Sequence, residues 1–293
     1  MINTSFSYRH SIILVLFAGV LWSTIGIGIR LIDQASVWQI LLYRSLSLSI
    51  FLYFTILILF NKSPIQLITQ NLLLYFISGL ALFGAYSGGI YAIQNTSVAN
   101  VMLLFASSTF ITAILGRIFL KEKLSLITFT SIIFAILGVM VMFSGNSIHS
   151  GSLKGNLSAL ASALGFSIFT LSLRFGKAGE MLPAVLFSGL IGVFISIFIC
   201  LSLGLKILIS SNDMNISLLM GVFQVGAGLA LYTLGSKVIK AAELNLLALT
   251  EVLLGPFWVW VFLGEKIEKS TMLGGGILLM SILLNSLLGK KRN

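Results

Sequence analysis

The chain has 293 residues, of which 58% are hydrophobic and only 9% are charged, and its formal net charge is +10 at pH 7. Soluble domains contain about 25% charged and about 45–50% apolar residues, so this composition excludes a water-soluble globule. The basic residues stand singly or in pairs between apolar runs, except for Lys290-Lys291-Arg292, and form no basic stripe. A nucleic-acid-binding protein is therefore also excluded, and lipid is the expected surrounding.

Ten apolar segments follow one another along the chain, each about as long as a membrane-crossing helix. A helix needs about 20 residues to cross about 30 Å of hydrocarbon. Helices are expected because lipid leaves unpaired backbone groups unsatisfied. The first segment is too long an apolar run for a signal peptide. The expected fold is all-α integral membrane, with ten transmembrane helices at about 11–30, 37–60, 71–92, 97–119, 125–144, 155–174, 183–205, 216–236, 243–262 and 270–288.

Lysine and arginine are unevenly divided between the two sides of the predicted bundle. If the N-terminus lies inside, the inner segments hold twelve of the eighteen basic residues and the outer segments hold five. Basic residues are enriched on the cytoplasmic side of membrane proteins. We therefore expect a multi-pass protein of the cell (inner) membrane with both termini in the cytoplasm.

A short phrase occurs twice, as "IFLKEKLS" at 118–125 and as "VFLGEKIE" at 261–268. At nearly the same offset, "LWSTIGIGIR" at 21–30 aligns with "GFSIFTLSLR" at 165–174. Similarity at a fixed offset over much of the length indicates an internal duplication. The predicted repeats, of five helices each, are residues 11–144 and 155–288.

The odd number of helices in each repeat predicts that the second repeat is inverted relative to the first. Two inverted halves leave a cavity near the bilayer midplane, which opens to alternate sides as one half rocks against the other. The glutamates of the repeated phrase, Glu122 and Glu265, precede Ser125 and Ser270, which we expect to be the N-caps of the next helices.

Two charged residues lie deep within predicted spans, where a charge costs roughly 2.5–3.5 kcal/mol. Glu251 is inside the ninth span, and Pro256 follows it, where the missing N–H predicts a break in the helix. The carboxylate could bind an amine or exchange a proton, or it could hold helices together through hydrogen bonds. Arg44, in the second span, could snorkel to the interface, bind a substrate carboxylate or pair with Glu251.

Taken in order, the motifs of the chain resemble the EamA-type family of the drug/metabolite transporter superfamily, which has ten transmembrane helices. They are "GVLWS", "LLYRSL" and "FLKEKLS" in the first half, and "GNLSALASALGFSIFTLSLR" and "LNLLALTEVLLGPFWVWVFLGEKIE" in the second. The family often has proline directly after the ninth-helix glutamate, whereas Val252 follows Glu251 here. The resemblance implies a cavity lined by helices one, three, four, six, eight and nine.

The residues that the resemblance implies for this cavity are aromatic or polar, which suits amphipathic metabolites or amino acids. Ordinary helix packing is the alternative for each of them. They are Trp22, Tyr86, Tyr91, Asn100, Phe166, Gln224, Tyr232, Asn245 and Glu251.

These features favour a secondary transporter for small metabolites or amino acids, with export by alternating access and proton coupling through Glu251 as hypotheses. A facilitative permease of the same fold and a non-transporting membrane scaffold are the alternatives, and the inverted repeat argues against the scaffold. An enzyme is not expected, because the spans show no cluster of catalytic side chains. Neither a metal site nor a cofactor is expected, since the single cysteine has no partner. The expected partners are a small-molecule substrate and membrane lipid, with the protein a monomer or a homodimer.

Overall fold

The structure is a computed structural model, and it describes residues 7–69, 71–96, 98–142, 144, 152–176, 180–264 and 269–288. In these ranges the chain forms helices and contains no strand. The helices are α1 (Tyr8–Trp22), α2 (Ile25–Arg30), α3 (Val37–Phe60), α4 (Pro64–Ile68), α5 (Leu72–Asn95), α6 (Val98–Phe119), α7 (Leu126–Met142), α8 (Leu153–Phe175), α9 (Leu182–Ser202), α10 (Ser211–Leu219), a π-helical segment (Met220–Ala227), α11 (Gly228–Gly235), α12 (Ala241–Ala248), α13 (Thr250–Leu263) and α14 (Lys269–Leu288).

Among the described residues, nine helical stretches are long and apolar enough to cross a membrane, and α7 is a shorter tenth apolar helix of 17 residues. Their positions match the ten predicted spans. The largest difference is at the eighth span, which begins at Ser211 rather than near residue 216. The prediction of an all-α membrane fold with ten transmembrane helices is thus confirmed.

Glycine allows the closest approaches between helices. Where α7 crosses α14, a Cβ atom on Gly274 would lie 2.2 Å from the backbone nitrogen of Met142 and 2.3 Å from the carbonyl oxygen of Gly138. Where α5 crosses α8, a Cβ atom on Gly165 would lie 2.6 Å from the carbonyl oxygen of Ala81. Lipid supplies no hydrophobic force between helices, so such backbone-to-backbone packing stabilises the bundle.

The contacts between the two predicted halves occur in matched pairs. Helix α3 packs on α9 and α7 packs on α14, and each of these pairs joins a helix to its own counterpart in the other repeat. Helix α1 opens the first repeat and α8 opens the second. Helix α1 packs on α11, and α8 packs in the same way on α5, the corresponding helix of the first repeat. Helix α1 also packs on the ninth span, α12 and α13, and α8 packs on its counterpart α6. Two inverted repeats related by an in-plane axis would give this pattern.

Three of the ten spans are interrupted. The first span breaks at Ser23 and Thr24, whose hydroxyls donate to the carbonyl oxygens of Val20 at 2.6 Å and Leu21 at 2.7 Å. The eighth passes through the π-helical segment, a geometry common at functional sites. In the first span the hydroxyls of Ser23 and Thr24 donate hydrogen bonds to backbone carbonyls, which lipid cannot do. A break in a membrane helix is tolerated only where its backbone groups are hydrogen-bonded in this way.

The third interruption, in the ninth span, is not where the sequence predicted it. Helix α12 ends at Ala248 and α13 begins at Thr250, whereas Pro256 lies inside α13, which continues to Leu263. The prediction of a break at Pro256 is therefore wrong. The break lies at Leu249: helix α1 contacts both pieces, but α12 packs mainly on α6 whereas α13 packs on α14.

Replacing Gly274 by alanine should destabilise the protein by about 1–3 kcal/mol, because the new methyl group would overlap the backbone of α7. Gly276→Ala is the matched control in the same helix, since a Cβ atom there has no neighbour within 4 Å. Thermal unfolding in detergent measures both. Equal melting temperatures for the two variants would contradict the packing described for α7 and α14.

Candidate functional site

Five aromatic side chains from four spans meet in the interior of the bundle. The Phe166 ring centroid lies 5.8 Å from Trp22, 5.5 Å from Phe105 and 5.5 Å from Tyr232. Trp22 and Tyr232 are 5.2 Å apart, and Phe169 stacks on Tyr232 at 6.4 Å. Offset and edge-to-face contacts at these distances stabilise aromatic clusters. Three of the predicted cavity residues, Trp22, Phe166 and Tyr232, are therefore in mutual contact.

A buried polar network is attached to this aromatic cluster through the Tyr232 hydroxyl. The side-chain oxygen of Asn245 accepts hydrogen bonds from Tyr232 at 2.7 Å and from Thr170 at 2.8 Å. The Asn245 amide nitrogen donates to the Thr112 hydroxyl at 2.7 Å and to the Ser108 carbonyl at 3.3 Å. The network thus joins the fourth, sixth, eighth and ninth spans and fixes the position of the Tyr232 ring.

Gln224 connects the π-helical segment to the break in the first span. Its Nε2 atom donates to the carbonyl oxygen of Trp22 at 3.3 Å, next to the interruption at Ser23. Its Oε1 atom is buried and has no hydrogen-bond partner among the described residues. A side-chain amide thus supports the backbone at the interruption and retains one free acceptor in the interior.

Glu251 is the second residue of α13, directly after the break at Leu249. Its side chain is only partly buried and has no hydrogen bond or ion pair with any residue that the structure describes. The carboxylate lies close enough to the Tyr232 hydroxyl for electrostatic interaction. The backbone here packs tightly on α1, since a Cβ atom on Gly19 would lie 2.9 Å from the Thr250 Cβ. The break in the ninth span is therefore followed directly by a carboxylate that has no hydrogen-bond or ion-pair partner among the described residues.

Arg44 lies in a different part of the bundle, and its pairing with Glu251 does not form. The side chain is only 4% exposed, so the expectation that it snorkels to the interface is wrong for this conformation. Its guanidinium carbon lies 5.3 Å from the centre of the Tyr86 ring, and the Tyr86 hydroxyl donates to the Ser188 carbonyl at 2.7 Å. Tyr86, predicted to line the cavity with the other residues, is thus placed beside Arg44 instead.

Two predicted cavity residues, Tyr91 and Asn100, remain. Tyr91 is half-buried, and its carbonyl oxygen accepts from the side chain of Asn95 in its own helix. The side chain of Asn100 lies outside the described part of the chain. Phe105 and the threonine partners of Asn245, Thr112 and Thr170, were not predicted, because phenylalanine rings and threonine hydroxyls are too common in membrane helices to be singled out from sequence.

A second deep carboxylate, Glu243 in α12, was also not predicted. It is 6% exposed and accepts hydrogen bonds from the Tyr8 hydroxyl and from Asn285 Nδ2. Its position near the predicted end of the span hid it, since charges at span ends are ordinary. Nowhere among the described residues do three or more histidine, cysteine, aspartate or glutamate side chains come together as metal ligands would.

A salt bridge near one end of the bundle joins residues of the two predicted halves. Arg174 Nε donates to Glu122 at 3.1 Å, and the other carboxylate oxygen of Glu122 accepts from the backbone nitrogen of Ala241 at 3.0 Å. Arg174 Nη1 also donates to the carbonyl oxygens of Ser236 and Lys237, at 3.0 and 3.3 Å. The joint before α7 is thus bound to the end of α8 and to the connection between α11 and α12.

This arrangement corrects the role expected for Glu122 in the repeated phrase. Ser125 caps α7 as predicted, since its hydroxyl accepts from the backbone nitrogen of Thr128 at 3.0 Å. Glu122 does not assist that cap and is bound to the other half. Helix α14 begins at Lys269, so Ser270 lies inside the helix rather than at its cap. Glu265 lies outside the described residues.

Comparisons with known proteins agree with this architecture. The model of the EamA-like transporter family matches residues 9–144 and 153–287. The chain belongs to the EamA-like transporter family. EamA is part of the drug/metabolite transporter superfamily, as the sequence motifs predicted, and membership makes the chain a multi-pass membrane transporter.

Two similar proteins are consistent with this membership. An "Uncharacterized transporter" of Clostridium kluyveri is 26% identical over 213 residues, which cover 69% of this chain and 68% of that protein. A solved crystal structure superposes with a TM-score of 0.81 at 14% identity, covering 97% of this chain and 99% of the other. At that identity the second comparison shows the fold alone.

Glu122→Gln and Arg174→Gln should each destabilise this EamA-family chain by about 1–3 kcal/mol, because each leaves a largely buried partner unpaired. The double variant should lose less than the sum of the two. A matched control is Glu180→Gln, which breaks a more exposed pair with Lys237 and should cost less than about 1 kcal/mol. Additive losses in thermal unfolding would show that Glu122 and Arg174 do not interact.

Proposed function

We propose that this chain is a secondary transporter that exports small metabolites or amino acids across the cell (inner) membrane by alternating access, with Glu251 exchanging the coupling proton. The observation that carries the proposal is the unpaired carboxylate of Glu251. It follows the interruption at Leu249, and the charge of Glu251 is near enough to Tyr232 to interact with it electrostatically. The cluster and its polar network supply apolar surface and a few fixed polar groups, as small-molecule sites do.

The contrast between Glu251 and Glu243 supports a functional rather than a structural role for Glu251. A carboxylate that holds helices together is expected to be satisfied by hydrogen bonds, as Glu243 is by Tyr8 and Asn285. Glu251 has no such partner among the described residues. An unsatisfied carboxylate within a membrane is costly. A group of this kind is suited to binding a proton and a substrate in turn.

Alternating access is supported by the interruptions and by the matched contacts between the halves. The repeats at 11–144 and 155–288, taken as inverted, can rock against each other about the helix pairs α3–α9 and α7–α14. If both termini lie in the cytoplasm, the Glu122–Arg174 salt bridge lies near the cytoplasmic side, where its breaking would accompany opening to that side. Because one chain supplies both halves, a monomer suffices, and a homodimer would place two such units side by side.

The test is efflux from proteoliposomes loaded with a defined metabolite mixture and read by mass spectrometry, with and without a pH gradient. Wild type should release at least one compound faster with the gradient. Glu251→Gln should lose that acceleration, because an amide cannot exchange the proton. Glu243→Gln is the matched control, since it keeps the shape of a hydrogen-bonded buried group, and its efflux should still respond to the gradient.

The other outcomes separate the alternatives. Equal efflux by wild type and Glu251→Gln, with no response to pH, would make the protein a facilitative permease and Glu251 a structural residue. If the response to the pH gradient were lost in Glu243→Gln but kept in Glu251→Gln, the coupling proton would be carried by Glu243, and the role proposed for Glu251 would be wrong. If no compound left faster than from protein-free vesicles, the transport proposal itself would fail.

A further inference from the structure

Arg44 is a buried cation without a counter-ion. Its side chain is 4% exposed, and its Nε and Nη1 atoms are buried without a hydrogen-bond partner in the described part of the chain. It lies seven residues into α3, about 10 Å along the helix axis. A guanidinium stays protonated in proteins, so this group cannot avoid the cost of burial by losing its charge.

The Tyr86 ring contacts one face of the Arg44 guanidinium, while the Nε and Nη1 donors have no hydrogen-bond partner among the described residues. The Tyr86 ring lies 5.3 Å from the guanidinium carbon, a cation–π contact. A ring of this kind stabilises the charge but accepts no planar N–H bond. The adjacent Ser45 hydroxyl is also buried without a hydrogen-bond partner, where α3 meets α9, since a Cβ atom on Gly192 would lie 2.3 Å from it. Two consecutive residues of α3 therefore carry side-chain donors without a hydrogen-bond partner among the described residues.

The bundle does not need a cation at this position for packing. Arg44 aligns with Ser188, 144 residues later, at the equivalent point of α9. Both residues contact Tyr86, since the Ser188 carbonyl accepts from the Tyr86 hydroxyl. The second repeat thus makes its side of the α3–α9 crossing with a small neutral residue. The charge in the first repeat is an addition that the packing leaves unexplained.

We infer that Arg44, with Tyr86 and Ser45, forms an internal site for an anionic group of the transported molecule. This rests on the proposed transport function and assigns its substrates to compounds that carry a carboxylate. Helices α3, α5 and α9, which meet here, contain no other lysine or arginine. A guanidinium binds a carboxylate through two parallel hydrogen bonds, and one guanidinium neutralises its single charge, whereas a doubly charged phosphate would keep one charge unbalanced here.

The first measurement is thermal unfolding of the detergent-purified protein without added ligand. A charge kept for ligand binding stabilises nothing in the empty protein, so Arg44→Met should melt at the same temperature as wild type or higher. Arg174→Met, which breaks a formed salt bridge, should melt lower. A fall for Arg44→Met as large as that for Arg174→Met would assign Arg44 to the fold and overturn the inference.

The second measurement is efflux from proteoliposomes loaded with matched pairs of compounds, each a carboxylic acid with its carboxamide, read by mass spectrometry. Wild type should release acids more than about tenfold faster than amides, the discrimination that a charged hydrogen bond supports. The ratio should fall to about one in Arg44→Met and be partly kept in Arg44→Lys. Acids and amides leaving wild type equally fast would refute the anion site while transport itself stands.

Two further arms separate the other sources of an anion and the failure of transport. If wild type is more stable than Arg44→Met only in vesicles that contain phosphatidylglycerol, and acids are not preferred, Arg44 binds a lipid headgroup and the inference is wrong. If no compound leaves wild type, the proposed function fails, and the same acids and amides are then tested in thermal unfolding. Acids that raise the melting temperature of wild type but not of Arg44→Met would keep the anion site; no difference would end it.

Discussion

A peptide group inside a bilayer has no water to bond to, and the rest of this structure depends on that constraint. Seven of the ten spans meet it as uninterrupted helices. The other three are interrupted within the described residues, and at the break in the first span side chains supply hydrogen bonds to the backbone. Ser23 and Thr24 donate to the carbonyls one turn before them, and Gln224 reaches from another span to the carbonyl of Trp22. Irregular backbone at membrane depth is tolerated only where protein covers it or where it lines a water-filled cavity. The breaks are therefore expected in the interior of the bundle, where a ligand would bind.

Charge is distributed in two ways in this bundle. At one end, Arg174 and Glu122 neutralise each other and bind the two halves together. In the interior, Glu251 and Arg44 form no ion pair among the described residues, either with each other or with a third group. In a buried ion pair each charge is already neutralised by the other. An unpaired charge can still bind an ion or a charged group of a ligand and release it again. The separation of the two interior charges is therefore what makes them candidates for binding rather than for stability.

The alignment of the repeats adds a physical argument to this contrast. Arg44 aligns with Ser188, and at the offset of the repeated phrase Glu251 aligns with Ser108. Arg44 and Glu251 thus each have a serine at the equivalent position of the other half, and that half packs without the charge. Features shared by both repeats, such as the aromatic rings of Trp22 and Phe166, serve the common packing. Features present in one repeat only are where the two halves differ in chemistry.

Composition and the lengths of the apolar runs determined by themselves that the chain is a bundle of ten membrane helices, because insertion depends on each segment's own hydrophobicity. The spacing of "FLKEKLS" and "FLGEKIE" likewise indicated the duplication. The sequence also singled out Glu251 and Arg44, since a charge within an apolar run is visible without any neighbour. Only the tertiary structure decided which groups meet: Glu122 with Arg174, Tyr86 with Arg44, and Tyr232 with Asn245. It also placed the break at Leu249 rather than at Pro256. These outcomes depend on the crossing of helices that are far apart in the chain, and residue type alone does not specify that geometry.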